Sequence, residues 1–454
     1  MILEGNTKVT LFKLSLPLIF SNIIATLYNL ADGVWLAQLS YTQFAATSFT
    51  WPLVFLFVSI AIGVSVAGTS IISQMIGAGD RKRATKYANN LIIISIAIGV
   101  FFSVLGYFTA SPIIGAMGAK DELFRYSVEY FKVNSMGFLS DTLFFAFTAI
   151  LNAQGKTKAT TLMGFASGLL NILLDPVFIF KDIPFIGLQG FDMGVSGAAV
   201  ATIISKVIAV IIGIVATKRD NLDLDLTLET LKPDMKYIKS LFKMAIPTAF
   251  GRSSAALGFT VMNAIIVSYG QEVVAAFSMV NRISDFWMQI SMGISAAMVA
   301  MIGQNIGAKK YDRAKQIVRD SAIFIMVSSI VGTMILGGFP NQLLRIFVDP
   351  VAARQVYDIA MDYIPYAAAN VVFMGLFNLY QGLFQGTGYM KYSMHMSTGR
   401  LWIIRVPFVL LMQHYTDIGQ SVIWIGMLFS NVLIDVYSHY IYKKKDVINK
   451  EVRL

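Results

Sequence analysis

Twelve stretches of this chain run almost wholly apolar for about 20 residues or more, the length that a helix needs to cross a bilayer's hydrocarbon core. Inside lipid no water satisfies a backbone N–H or C=O, so such segments must close their own hydrogen bonds as helices. The runs fall near 10–36, 45–72, 88–110, 125–152, 159–180 and 194–217, then near 240–266, 275–303, 318–340, 360–386, 396–416 and 420–442. They predict an all-α polytopic membrane protein with twelve transmembrane helices. Only 14% of the residues are charged, against about 25% in soluble chains, which excludes a disordered tail, a coiled coil and a routine soluble enzyme. The net charge of +10 sits in short loops rather than on one soluble face, so no nucleic-acid partner is expected. Without cysteine there is no disulfide framework, thiolate metal site or cysteine nucleophile. The opening MILEGNTKVT lacks a basic n-region, so the first span is expected to stay in the mature protein.

The two sets of six are related. At an offset of 230 residues LFKLSLPLIF (11–20) matches LFKMAIPTAF (241–250), and SQMIGAGDRKRA matches IGQNIGAKKYDRA through Gln74 and Gln304, Gly77 and Gly307, Arg83 and Arg313. Gly155 and Lys158 pair with Gly388 and Lys391 after a three-residue slip. Scattered Leu matches arise by chance between apolar helices; glycine and basic positions kept in register through loops do not. Six spans is an even number, so the halves share one orientation and are expected to be related by a pseudo-two-fold along the membrane normal. The expected domains are an N-terminal lobe (1–217), a polar cytoplasmic linker (218–240), a C-terminal lobe (241–442) and a basic cytoplasmic tail (443–454). Most Lys and Arg outside the spans fall on the side of the amino terminus, and the other side receives only Lys120, Arg125, Lys132, Lys181, Arg345 and Arg354. The positive-inside rule therefore places both termini in the cytoplasm.

Ionisable residues inside spans are costly and mark function or pairing. Asp32 in span 1 is matched by Met262 in the other half, and Asp175 in span 5 by Val406, so these acids serve something outside the shared frame. Asn171 and Asp175 are four apart and share a helix face, as do Tyr28 and Asp32, and Thr202 in span 6 adds a hydroxyl. Two carboxylates, an amide oxygen and a hydroxyl suit a hard cation. The same set without metal can hold a proton. Asp32, Asn171, Asp175 and Thr202 are the candidate cation-coupling residues, and metal ligands only if sodium is bound; no other cofactor is expected. Lys206, one turn beyond Thr202, either pairs with one of these acids in place of a cation or snorkels to the interface. Arg282 and Asp285 are spaced to pair with each other, while Arg252, Arg400 and Arg405 are candidates to line an aqueous cavity. Tyr28, Lys206, Arg252 and Arg282 are the cavity and substrate candidates.

The duplication of a six-span unit, together with YNLADGVW, IGAGDRKRA, QGKTKAT, NILLDPVFIF and MGVSGAAVAT, resembles the multidrug and toxic compound extrusion (MATE) family over essentially the whole chain. With its membrane acids in the first half it most resembles the prokaryotic DinF-like branch. The resemblance implies an antiporter that exports drug-like, often cationic organic compounds in exchange for protons or sodium. It also implies that Asp32, Asn171, Asp175 and Thr202 form the first-lobe cation site, with Tyr28 lining the cavity; Lys206 departs from the pattern. The segment KDIPFIGLQGFD looks longer than the usual connection. Such a protein is expected in the cell (inner) membrane as a monomer, with the lipid bilayer and small organic molecules as its partners. The alternative is a lipid-linked oligosaccharide flippase of the same superfamily, favoured by the second-half arginines. An aspartyl protease built on Asp32 and Asp175 lacks a glycine-flanked acid motif and is set aside, so the chain is expected not to be an enzyme.

Overall fold

A computed structural model of the chain describes residues 1–184, 187–219, 224, 226, 231–348 and 350–449. Among them the regular structure is helical, apart from one isolated antiparallel bridge between Asp182 and Gln189. Residues 220–223, 225 and 227–230 of the 218–240 linker and the last residues of the basic tail lie outside the described residues. The helices of the first half are α1 (Thr7–Leu39), α2 (Tyr41–Gly77), α3 (Arg81–Ala116), α4 (Asp121–Met136), α5 (Phe138–Ala153), α6 (Thr157–Ile179) and α7 (Gly194–Arg219). Those of the second are α8 (Met235–Val267), α9 (Gln271–Gly307), α10 (Tyr311–Gly338), α11 (Pro340–Leu344), α12 (Arg354–Gly386), α13 (Met390–Thr398), α14 (Val406–Tyr415) and α15 (Ser421–Lys445). Among the described residues ten helices are long and apolar enough to cross a membrane, or eleven when α4 and α5, bent by 45°, are counted as one span. The remaining expected span is built from three consecutive pieces: α13, a π-helical segment Gly399–Arg405, and α14.

The repeat read from the sequence reappears in the lengths of the elements. α1 and α8 each have 33 residues with an internal proline, Pro17 and Pro247, and α2 and α9 each have 37. After α2 the chain turns through Gly79 at φ 74°; after α9 it turns through Lys309 at φ 58°, a left-handed position that costs a side chain about 1 kcal/mol or more. Beyond these turns the two halves diverge. Asp80 caps α3, its carboxylate accepting from the Arg83 backbone N–H at 2.8 Å and pairing with the Arg83 guanidinium at 2.5 Å. Arg313, at the matching position, instead holds the carbonyls of Ile2 and Gly5.

Packing divides the chain into two compact units, Phe20–Ala249 and Met1–Ile19 with Phe250–Leu454. The first turns of α1 thus belong with the second half of the sequence, and those of α8 with the first. In the first unit Phe57 packs between Phe102 and Phe138, both with ring centroids at 4.8 Å. In the second, Leu11, Leu14 and Leu18 of α1 join a core with Met298, Met301 and Phe384, while Trp424 stacks on Tyr363 at 4.1 Å in a separate cluster. Large apolar side chains such as Phe108 (76%) and Ile403 (74%) stand exposed, as expected where the solvent is lipid.

Candidate functional site

Four oxygen-bearing side chains converge in the first unit. α6 carries Asn171 (2% exposed) and Asp175 (0%) on its buried face, because residues four apart stack along one side of a helix. The Asn171 amide donates both to Asp175 Oδ1 and to Thr202 Oγ1 of α7, each at 3.2 Å. The carboxyl of Asp32 on α1 approaches that of Asp175 directly. Donors then run out. Asp32 Oδ1, Asn171 Oδ1 and Asp175 Oδ2 are all buried without a hydrogen-bond partner. A buried acceptor left unpaired costs about 1–3 kcal/mol, and three together form an arrangement that a proton or a hard cation would complete.

The end of α6 is held by the segment that the sequence marks as long. Phe191 N–H donates to Val177 O at 2.9 Å, Met193 to Phe178 O at 2.9 Å, and Asp192 to Phe180 O at 3.2 Å. Carbonyls that a helix C-terminus leaves open are thereby satisfied without a glycine cap. Gly190 is required for this fit, since a Cβ there would collide with the carbonyl oxygens of Phe180 and Val177. Phe178 and Phe191 stack across the turn at 5.0 Å. This folded-back loop fixes α6 immediately after Asp175 and Pro176; Phe185 and Ile186 within it lie outside the described residues.

Tyr28 lies one turn from Asp32 and within electrostatic reach of Asp32, Asp141 and Lys206. Its ring packs where Gly168 leaves room, as a Cβ at 168 would sit 3.3 Å from Tyr28 Cδ1. Lys206 departs from the expectation that it pairs with Asp32 or Asp175 or snorkels free: its ammonium forms an ion pair with Asp141 of α5. The Asp141 side chain is 6% exposed and that of Lys206 23%. Sequence reading missed Asp141 and also Tyr130 of α4, which lies within reach of Asp32, Asp141 and Asp175. An acid inside a span that otherwise runs FLSDTLFFAFTAIL was the available signal for Asp141.

Arg252 and Arg282 belong to the second unit. Arg252 is half-buried on α8 and Arg282 exposed on α9. The expected Arg282–Asp285 pair is not formed: a spacing of three puts two side chains on one face of α9 but does not fix where their exposed ends point. Arg400 (4% exposed) and Arg405 (3%) do not line an open cavity either. Arg405 donates to Ser430 Oγ and Asn431 Oδ1, both at 2.9 Å, and Arg400 stacks over Phe377 at 4.3 Å. Their spacing of five explains why both reach α15. In a π turn residues five apart are hydrogen-bonded neighbours, whereas an α-helix would turn them about 140° apart.

The description MatE is that of a family model that matches residues 17–177 and again 247–411, beginning at Pro17 and at Pro247, the two positions aligned by the internal repeat. Among curated proteins, the probable multidrug resistance protein YoeA of Bacillus subtilis is 25% identical over 95% of this chain and 93% of its own length. The probable multidrug resistance protein NorM of Thermotoga maritima is 27% identical over 92% and 88%. The multidrug export protein MepA of Staphylococcus aureus is 25% identical over 82% and 80%. A solved MATE in complex with MaL6 superposes with a TM-score of 0.90 at 24% identity, covering 98% of this chain and 97% of the other. An outward-facing multidrug resistance MATE transporter of the MOP superfamily gives 0.89 at 23%, covering 98% and 97%.

Proposed function

The chain belongs to the MatE family of multi-pass membrane transporters, and from that premise we propose that it is a cation-coupled antiporter exporting drug-like, often cationic organic compounds by alternating access. The observation that carries this reading is the group of three buried, unpartnered oxygens on Asp32, Asn171 and Asp175, beside the Thr202 hydroxyl. A proton or a sodium ion entering there turns repelling acceptors into a connected site. Asp32 stands on α1 and Asp175 on α6, so occupancy draws these helices together. α1 has Pro17 and Gly33 at which to bend. Ion entry from outside then weakens the hold on substrate, which leaves outward before the protein returns. Both termini lie in the cytoplasm, the protein sits in the inner membrane, and it works as a monomer.

Coupling of this kind is reciprocal: an ion that weakens substrate binding must itself be displaced by substrate. The test is equilibrium binding of a fluorescent organic cation to purified protein across pH and sodium concentration. Affinity falls as proton or sodium rises, and Asp175→Asn flattens the dependence. A wild-type affinity indifferent to both ions would remove the coupling. The flippase reading drew on an arginine-lined cavity; Arg400 and Arg405 are instead buried and bonded within their own unit.

A further inference from the structure

On α15, Asn431, Asp435 and His439 succeed one another at four-residue spacing and share a face. Two of the three are engaged. Asn431 Oδ1 accepts from Arg405 at 2.9 Å and from Arg400 at 3.5 Å, and its amide donates to Asn370 at 2.9 Å. His439 Nδ1 meets the Tyr380 hydroxyl at 2.8 Å. Asp435, between them, is 5% exposed, and neither carboxylate oxygen has a hydrogen-bond partner.

Each element packed on α15 faces Asp435 differently. From the π segment, Arg400 is within electrostatic reach but not in contact; its Nη1 is turned to Met374 Sδ at 2.8 Å, and its Nε is unpartnered. Arg405 is committed to Ser430 and Asn431. Tyr380 is the group in reach from α12. α13 supplies His395, bonded to Tyr437 at 3.1 Å, whereas His414, in the last turn of α14, lies before the start of α15 and more than three turns of that helix from Asp435 along the chain. A bare carboxylate in such a place would be desolvated with nothing in contact to compensate it, whereas the acid form has no charge to solvate.

We propose that Asp435 is a second ion-binding site of this transporter, in its C-terminal unit, and that the ion it takes is a proton and not sodium. A hard cation needs several oxygen ligands. Asp435 offers one carboxyl, with a guanidinium beside it that repels metal ions. The proton leaves to water, and the Arg400 Nε–H is the free donor that then compensates the carboxylate. The role in transport rests on the antiporter reading; the binding site itself does not.

The experiment is infrared difference spectroscopy of the purified, lipid-reconstituted protein between acid and alkaline buffer, read in the protonated-carboxyl C=O region. Asp435→Asn loses one band that wild type shows, and Asp435→Glu keeps that band at a shifted frequency. Adding sodium leaves it unchanged. Asp435→Asn retaining every wild-type band overturns the proposal, and so does loss of the band on adding sodium. Should Asp435→Asn fail to fold, Asp435→Glu decides, an unshifted band counting against the site. Absence of ion-driven export by wild type would remove the antiport reading alone, since the band is measured without transport.

Discussion

The polar group at the candidate site of the first unit is built on acids, and the one around the π segment of the second on bases. In the first, Asp32, Asp141 and Asp175 outnumber the lysine Lys206; beside the π segment, the arginines Arg400 and Arg405 outnumber the acid Asp435, while the second unit's other buried acid, Asp320, accepts from the Thr7 hydroxyl at the start of α1. The exchange can be traced position by position. Lys206 and Asn431 lie the same number of residues beyond a positive-φ glycine, Gly194 and Gly419. The register of Gly155 and Gly388 sets Asp141 opposite Met374. Where the first half closes an ion pair between Asp141 and Lys206, the second has the neutral Met374 and Asn431, and Arg400 reaches both. A duplicated helical frame therefore fixes where helices meet and leaves the sign of the charge free. A frame free to hold opposite signs can set the acids of its two halves in different surroundings, beside one another and a lysine in the first and beside two arginines in the second.

Breaking the first unit's pair should have the largest effect. Asp141→Asn strands a largely buried ammonium, at a cost of about 3–5 kcal/mol, read as a lower midpoint of thermal unfolding in detergent. The double variant Asp141→Leu with Lys206→Met recovers most of that loss, because it removes both charges. A midpoint unchanged in Asp141→Asn would show that the pair holds nothing. In the second unit Arg405→Met removes a buried charge that no acid contacts, so only the bonds to Ser430 and Asn431 are lost, about 1–3 kcal/mol by the same measurement. A loss as large as that of Asp141→Asn would erase the distinction between the halves.

The smallest effect concerns the turns before α3 and α10, where the first half uses a cap that the second lacks. Asp80→Ala costs about 1 kcal/mol. The Arg83 backbone N–H, with its guanidinium second, holds the Asp80 carboxyl below the usual carboxylate range. A depressed carboxyl stabilises above its ordinary value of about 4 and loses that contribution as pH falls through the folded value. The difference between wild type and Asp80→Ala therefore narrows below about pH 4.

Much of this is legible in the sequence because lipid permits so little. Apolar length alone locates the spans, and four-residue spacing places Asn171 beside Asp175. Periodicity reports which residues share a helix, though not which neighbouring helix they meet. Spacing therefore points Lys206 to the wrong acids: its partner Asp141 stands on α5, and no spacing along α7 could name it. The π segment escapes notice because its backbone register is set by how it packs on α15, not by composition. Asp435 reads as one acid near the end of the last span, and only burial singles it out.

The central claim is that the acids of the first unit couple ion entry to export. The direct test is export of a fluorescent organic cation from proteoliposomes, under an imposed pH or sodium gradient, by wild type and by Asp32→Asn. The account predicts transport driven by at least one gradient in wild type, and its loss in a stably folded Asp32→Asn protein. Ion-driven export by Asp32→Asn at the wild-type rate would contradict it.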